Sequence, residues 1–175
     1  MAHSLSIDRT FESRWKLLDA ARDRIAVVDS LDSLMEVIRS TARAVCSSDG
    51  VSFVLRDGEL CHYADEDAIG PLWKGQRFPM TSCISGWCML NGKTAAVADV
   101  FEDPRIPHDA YRRTFVKSLV MAPTGSDTPV AALGVYWRDK RHFSPREIET
   151  VEALAAAVGD AMKKCRKPSQ SLTMC

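Results

Sequence analysis

The sequence predicts an α+β fold, an α/β sandwich in which helices pack against a largely antiparallel sheet. Apolar residues recur at three- and four-residue steps near both ends of the chain, which is typical of amphipathic helices. Short alternating segments bounded by turn residues lie between them, which indicates strands. A length of 175 residues suits one hydrophobic core.

Two helices are expected at the N-terminal end and one at the C-terminal end. The apolar stripe of the first, within residues 7–28, consists of Ile7, Phe11, Trp15 and Leu18. Ser30 offers an N-cap to the second, which should end near residues 47–50, where Gly50 permits a turn. The third begins with the capping box Ser144-Pro145-Arg146-Glu147 and continues to Cys165.

The strands are expected in pairs. A hairpin over residues 51–64 should turn at Asp57-Gly58. Residues 65–82 are expected to be irregular, residues 84–90 to be a short helix, and residues 101–115 to be a loop with a helical turn. The remaining strands are predicted over residues 94–100, 116–123 and 129–138.

Charge and composition narrow the function classes. Twenty-three basic and twenty-three acidic residues cancel, so no overall field attracts nucleic acid or an anionic membrane. No apolar run is long enough to span a bilayer, and the N-terminus is too polar for a signal peptide. A cytoplasmic protein is therefore expected, with its six cysteines as thiols. The domain boundaries expected are an N-terminal extension over residues 1–20, one domain over 21–166, and a disordered polar tail over 167–175.

Two stretches resemble the GAF domain, a relative of the PAS domain. In the first, a short helix with a glycine near its start leads to a strand ending in Asp-Val, over residues 84–94 and 97–100. In the second, the pattern Ser-x-hydrophobic-x-x-Pro precedes hydrophobic-Gly-hydrophobic, over residues 116–123 and 130–137. The resemblance covers about residues 20–165. It implies that the N- and C-terminal helices lie on one face of the sheet and that a loop and short-helix segment lies over the other. It also implies a pocket between the sheet and the middle segment, but no particular ligand.

The middle segment, residues 99–111, looks most like GAF domains of bacterial sensor kinases and of phytochromes. No cysteine lies between Cys88 and Cys165, which argues against the covalent bilin of that branch. Asn91 is the only asparagine, so the cyclic-nucleotide motif of other GAF domains is absent. His62 and His108 are weak candidates for haem, and no cysteine or histidine pair has zinc spacing. No metal or cofactor is predicted.

A thiol enzyme remains an alternative. The resemblance extends to free methionine-(R)-sulfoxide reductases, a GAF subfamily that acts through cysteines of the middle segment. Cys83 falls near one of those cysteines, whereas Cys88 does not, and the strand-adjacent loop carries none. We therefore expect no enzymatic activity. A thiol-based enzyme or redox sensor using Cys83 or Cys88 is kept as the alternative.

The expected ligand pocket is apolar with a few convergent polar groups, as is usual for small-molecule sites. Val135 and Arg112 are expected near it. The alternative is an ordinary filled core in a module that only binds protein. The residues predicted to contact a small-molecule ligand are Phe53, Trp73, Phe78, Ser85, Trp87, Asp99, Arg105, His108, Tyr111, Phe115 and Ser118.

The leading hypothesis is a sensory module in signal transduction. No kinase segment follows in this chain, so we expect its output to pass through its own homodimer or to a separate signalling protein. The terminal helices are expected to pair across a two-fold axis, as the resemblance implies. The alternative is that both helices pack only on their own sheet.

Overall fold

The structure is a computed structural model and describes residues 2–125 and 127–166, with side chains from residue 12 onward. The predicted tail, which includes Cys175, lies outside the described residues. The elements follow in the order α1 (Ala2–Ala26), α2 (Leu31–Cys46), β1 (Gly50–Asp57), β2 (Leu60–Ala68), β3 (Arg77–Pro79), a 3-10 turn (Met80–Ser82), α3 (Ile84–Asn91), β4 (Ala95–Val97), α4 (His108–Arg112), β5 (Ser118–Pro123), β6 (Ala131–Trp137) and α5 (Pro145–Arg166).

The six strands form one sheet in the order β3-β2-β1-β6-β5-β4. Every neighbouring pair is antiparallel, including the central pair of β1 with β6, in which Val51 faces Val135. The first and last helices pack on the same side of this sheet. The structure therefore confirms the predicted α+β fold.

Hydrogen bonds at the helix starts confirm the predicted caps. Ser30 Oγ accepts the backbone N–H of Ser33 at 3.2 Å. Glu147 and Ser144 form the reciprocal capping box, in which the Ser144 N–H donates to Glu147 Oε2 at 2.9 Å and the Glu147 N–H donates to Ser144 Oγ at 3.3 Å. Each exchange satisfies a backbone donor that a free helix end leaves unpaired.

The two N-terminal turns differ from the prediction in detail. The β1–β2 hairpin turns at Gly58 and Glu59, one residue later than expected, because Asp57 still pairs with Leu60. Helix α2 ends at Ser47, which itself takes the left-handed conformation with φ of 48°. Gly50 is instead the first residue of β1, where a Cβ would lie 2.9 Å from the Cβ of Ala68.

Two strand lengths were also predicted wrongly. Strand β2 continues to Ala68, and β3 adds a short edge strand within the segment expected to be irregular. Strand β4 covers only Ala95–Val97 of the predicted residues 94–100. It stops there because the Asp99 carboxylate accepts the N–H of Phe101 at 3.0 Å and turns the chain.

The helical face of the sheet, which packs against α1, α2 and α5, is almost wholly apolar. Leu18, Leu34 and Leu154 represent the three helices and are fully buried. Val51 and Val135 meet them from the sheet. Within the part of the chain that the structure describes, none of the helices has a stretch long and apolar enough to cross a bilayer.

Candidate functional site

The loop-covered face is the opposite side of the sheet, beneath residues 69–116. Strand alternation places Tyr136 on this face, while its neighbours Val135 and Trp137 point to the helices. The covering segment supplies a second apolar layer from the loops, α3 and α4. Its largest buried side chains are Leu72, Trp73, Met80, Ile84, Met89, Ile106 and Tyr111.

Trp73 lies at the centre of three tyrosines. Its ring centroid is 4.6 Å from that of Tyr111, 5.5 Å from that of Tyr63 and 5.6 Å from that of Tyr136. Phe78 extends the group, packing edge-on against Tyr63 with a centroid distance of 5.5 Å. Such edge and tilted pairs are favourable beyond the area they bury.

Glu66 fixes the position of Trp73. One Glu66 carboxylate oxygen accepts the backbone N–H of Leu72, and the other accepts those of Trp73 and Lys74, all within 3.1 Å. The Trp73 indole N–H donates to the carbonyl of Ala110 at 3.3 Å, which joins this loop to α4. A single carboxylate at the end of β2 therefore orders the loop over the aromatic group.

The three buried tyrosine hydroxyls have different environments. Tyr136 shares a hydrogen bond of 2.6 Å with Ser52, and Tyr63 shares one of 3.2 Å with Ser85. The Tyr111 hydroxyl is buried and has no hydrogen-bond partner among the described residues. Burial raises the pKa of all three phenols, so each stays protonated at neutral pH. Tyr111 therefore keeps a donor that is not used.

A groove opens beside this aromatic group, between the loop after β2 and helix α4. Its volume is about 470 Å³. Trp73, Phe78 and Ala110 contribute to its lining, and Gln76 and Arg113 supply polar side chains. The groove thus combines apolar walls with a few polar groups, which is the usual character of small-molecule sites.

Cysteine environments differ sharply on this face. Cys83 is the N-cap residue of α3 and donates a hydrogen bond to the Pro79 carbonyl at 3.4 Å, and its pKa is lowered to about 6, mainly by its interaction with Cys61. The same contact and burial raise the pKa of Cys61. Cys88 lies deeper, donates to the Met121 carbonyl at 3.4 Å, and has its pKa raised to about 12 by burial. Of these three thiols, only Cys83 has a lowered pKa.

A second group lies where α3 meets the segment before α4. The Arg105 guanidinium stacks over the Trp87 ring at 4.3 Å and pairs with Asp103 at 2.6 Å. His108 Nε2 lies 3.0 Å from the Asp103 carbonyl oxygen, and its ring packs edge-on against Phe101. The hydrogen bond from Arg105 is the main reason that the pKa of Asp103 is lowered. These contacts satisfy the polar groups internally.

The remaining residues predicted as ligand contacts lie apart from the aromatic group. Asp99 pairs with Lys140 at 2.6 Å, and that hydrogen bond is the main cause of its lowered pKa. Ser118 donates to the Asp139 carbonyl at 2.7 Å. Phe115 lies against Gly50, where a Cβ would come within 2.9 Å of its ring.

The structure thus brings four of the predicted contacts together, namely Trp73, Phe78, Ser85 and Tyr111. Phe53 lies on the helical face instead, as does Val135, because both belong to the side of β1 and β6 that packs on the helices. Sequence reasoning missed the residues that complete the group. They are Ser52, Cys61, Tyr63, Glu66 and Tyr136. Cys61 and Tyr63 are two positions apart on β2, so the alternation of strand side chains could have placed them on one face.

Side chains that bind metals are scattered. Within residues 2–125 and 127–166, no group of three or more His, Cys, Asp or Glu side chains could hold a metal ion. His62, one of the two histidines considered for haem, is half-buried on β2 beside the edge strand β3. His108, the other, is engaged with Asp103 as described.

Solved structures show the same fold. The free methionine-R-sulfoxide reductase of Neisseria meningitidis, in complex with its substrate, is similar at 17% identity and a TM-score of 0.76, over 87% of this chain and 90% of that one. The GAF domain of a phosphoenolpyruvate-protein phosphotransferase from Coxiella burnetii is similar at 13% identity and a TM-score of 0.78, over 89% and 96%. Residues 122–287 of a methyl-accepting chemotaxis protein are similar at 17% identity and a TM-score of 0.70, over 83% and 96%.

These identities are low enough that the likeness carries the fold and not the activity. Both GAF domains of larger proteins and reductases are among the similar structures. No functionally curated protein matches the chain by sequence. The family model for the GAF domain, however, matches residues 28–163, which is most of the chain. The chain belongs to the GAF domain family.

Proposed function

We propose that this GAF domain is a sensory module that binds a small molecule on its loop-covered face and acts in signal transduction without catalysing a reaction. The observation that carries the proposal is the Tyr111 hydroxyl, which is buried without a hydrogen-bond partner in the described part of the chain. A buried polar group without a partner costs about 1–3 kcal/mol. A ligand with a hydrogen-bond acceptor would remove that cost.

The surroundings of Tyr111 favour a ligand with an apolar, planar part. The Tyr111 ring packs at a tilt against Trp73, and Trp73 is also a wall of the adjoining groove. Movement of the loop over residues 71–76 would join the groove to the Tyr111 hydroxyl. The Glu66 carboxylate holds this loop by three backbone N–H groups, so its displacement would be a discrete change. Two loop positions would give ligand-free and ligand-bound states.

Two of the similar structures are consistent with ligand binding and with signalling, respectively. One is a reductase in complex with its substrate, and another is part of a chemotaxis protein. Domains of this shape thus occur both with a bound small molecule and in a protein named for signalling. The free thiols of Cys46, Cys61, Cys83 and Cys88 fit a reducing compartment, so we place the protein in the cytoplasm.

We further propose a homodimer through the terminal helices. On α1, Trp15 and Leu17 are each 44% exposed and flank the buried stripe that contains Leu18. Trp15 also lines a groove with Arg146 and Glu149 of α5. A second copy that covers these side chains would bury apolar surface beside both α1 and α5. A separate signalling protein is the alternative recipient of the output.

The test is a thermal-shift screen of a metabolite library with the full chain, followed by calorimetric titration of any compound that raises the melting temperature. Tyr111→Phe is expected to weaken binding about tenfold, the equivalent of one hydrogen bond. Thr150→Val removes one buried hydroxyl on the helical face, whose partner is the Arg146 carbonyl, and should leave the affinity unchanged. Equal affinities for Tyr111→Phe and the unaltered protein would contradict the assignment of the site.

Oligomeric state is tested separately, by sedimentation of the full chain and of Trp15→Asp. A dimer that dissociates in the variant supports the proposed interface. A monomer at high concentration would contradict it, with or without a ligand.

A further inference from the structure

The groove beside the aromatic group carries formal charge on one wall only. The charged residues that line it in the described part of the chain, Asp109 and Arg113, belong to α4 and its C-terminal end. They are four positions apart, so they lie on the same side of the helix. The opposite wall comes from the loop after β2 and from β3, and its lining is apolar apart from the side-chain amide of Gln76. A charged group of a ligand would therefore face α4.

The two charged residues of the groove differ in their partners. The Asp109 carboxylate pairs with the guanidinium of Arg112, which lies three positions further along α4. No hydrogen bond or ion pair joins the Arg113 side chain to any described residue. Because Asp109 and Arg112 cancel each other, the groove presents the single positive charge of Arg113.

The two β2 carboxylates that contact the loop are already engaged. Glu66 accepts three backbone N–H groups of the loop. Asp65 is buried and pairs with Arg39 of α2 at 2.6 Å and with Lys74 of the loop at 2.7 Å. Drawing either carboxylate towards Arg113 would break contacts that hold the loop, and at Asp65 it would also leave cations without their partner. Arg113 therefore keeps its charge available for an anion from solution.

The loop wall of the groove offers apolar surface that the fold does not fully cover. Phe78 is half-buried and Pro71 is exposed, and both line the groove. The Trp73 indole N–H donates to the Ala110 carbonyl at 3.3 Å, which ties this wall to α4 and fixes the spacing of the two walls. An aromatic ring between the walls would remove this apolar surface from water. The groove thus favours a flat apolar ring with an anionic group beside it.

We propose that the ligand is an aromatic carboxylate, with its ring against Phe78 and Pro71 and its carboxylate paired with Arg113. A guanidinium donates two parallel N–H groups to the two oxygens of a carboxylate, which fixes the orientation of the ligand as well as matching its charge. One unpaired guanidinium offsets one negative charge, so a monoanion fits the groove better than a phosphate ester, which carries about two negative charges at neutral pH. This inference rests on the proposed function and names the chemical class of its ligand.

The test is calorimetric titration of the full chain with benzoate, phenylacetate and indole-3-acetate, and with the neutral amide of each. The two members of a pair have the same ring and differ in charge. We expect the best of the carboxylates to bind at least about tenfold more tightly than its amide, and this ratio to fall as the salt concentration rises. Phenyl phosphate should bind more weakly than that carboxylate.

Arg113→Gln removes the charge and keeps an exposed polar side chain, so the fold should be unaffected. It should lower the affinity for the carboxylate about tenfold and leave the affinity for the amide unchanged. The matched control is Arg24→Gln on α1, which packs on the other side of the sheet. Arg24 is also exposed, with a hydrogen bond to Ser40, and its substitution changes the net charge equally. Both affinities should stay the same in this control.

Four results would each overturn the inference: equal binding of carboxylates and amides, tighter binding of phenyl phosphate, a carboxylate preference that survives Arg113→Gln, or no binding of any of the carboxylates at millimolar concentration. The proposed function has a different readout, because Tyr111→Phe tests the contact between the ligand and the hydroxyl. A neutral compound whose binding depends on Tyr111 would contradict only the inference. A carboxylate whose binding depends on Arg113 but not on Tyr111 would contradict only the assignment of the hydroxyl.

Discussion

The two faces of the sheet differ in what they bury. The helical face packs three long helices on aliphatic side chains, and its buried core contains no tyrosine among the described residues. The loop-covered face buries Tyr63, Tyr111 and Tyr136 together with three of the free cysteines. It does so beneath α3 and α4, which have eight and five residues. One sheet thus carries two cores of different chemistry.

This difference leads us to expect that the helical face mainly stabilises the fold and that the loop-covered face carries the functional groups. Aliphatic burial is favourable without further conditions, whereas each buried hydroxyl or thiol needs a partner to offset its desolvation. The loop-covered face buries three tyrosine hydroxyls and three thiols, and the hydroxyl of Tyr111 has no partner among the described residues to offset its desolvation. The helical face should therefore govern unfolding, and the loop-covered face should govern binding and reactivity.

The largest effect is expected from Leu154→Ala on α5. Leu154 is fully buried in the helical face, so the substitution should lower the free energy of unfolding by about 2–5 kcal/mol. Urea unfolding monitored by circular dichroism measures the change. Alkylation of Cys83 in the still-folded variant is the control and should keep its rate. A loss below about 1 kcal/mol would contradict the division between the two faces.

Much of the fold could be predicted from the sequence because the patterns that indicate helices and their caps involve residues close together in the chain. The stripes of α2 and α5, the Ser30 cap and the Ser144–Glu147 capping box depend on residues within four positions of one another, and all are present. In the stripe predicted for the first helix, Leu18 is buried, but Trp15 is 44% exposed. The β3 edge strand was not predicted, because three residues carry too little alternation to be recognised. Its pairing with β2 is nevertheless what brings Met80 to Cys61.

The candidate site was only partly predictable, for a related reason. Successive side chains of a strand point to opposite faces of the sheet, but this alternation does not show which of the two faces a distant loop covers. Phe53 and Val135 were therefore expected beside the ligand, whereas Tyr136, one residue away from Val135, lies there. Glu66 gave no local signal, since its role depends on backbone N–H groups six to eight residues further along.

Alkaline pH should produce the next largest effect. The folded protein holds Cys46 and Cys88 protonated, with pKa values raised to about 12 from an ordinary value of 9.0. Above pH 9 the unfolded chain releases these protons and the folded chain does not, so the free energy of unfolding falls as pH rises. The two thiols together should account for a loss of about 2 kcal/mol between pH 9 and pH 10.

Comparison with the double variant Cys46→Ala/Cys88→Ala isolates these two thiols, because Cys61 and the tyrosines contribute equally to both proteins. Urea unfolding at pH 9.0, 9.5 and 10.0 gives, for each protein, the slope of the free energy of unfolding against pH. Equal slopes for the two proteins would mean that the fold holds neither thiol protonated.

Tyr136→Phe should give a smaller loss at neutral pH. The substitution removes a hydrogen bond of 2.6 Å and leaves the buried Ser52 hydroxyl without its partner. The expected decrease in the free energy of unfolding is about 1–2 kcal/mol, measured by urea unfolding at pH 7. The double variant with Ser52→Ala should recover part of this loss, because no hydroxyl is then left unpaired. No recovery would indicate that the Tyr136 ring itself moves.

Tyr111→Phe should have the smallest effect, with the opposite sign. Its hydroxyl has no partner within the described chain, so its removal deletes a desolvation cost and no hydrogen bond. The ring and its tilted contact with Trp73 remain. We expect the free energy of unfolding to rise by about 1 kcal/mol in the absence of a ligand. The same substitution at Tyr136 destabilises, so the pair separates a hydroxyl that serves the fold from one that does not. A loss of stability in Tyr111→Phe would mean that the hydroxyl already has a partner in the ligand-free protein, and the argument that it awaits one would fail.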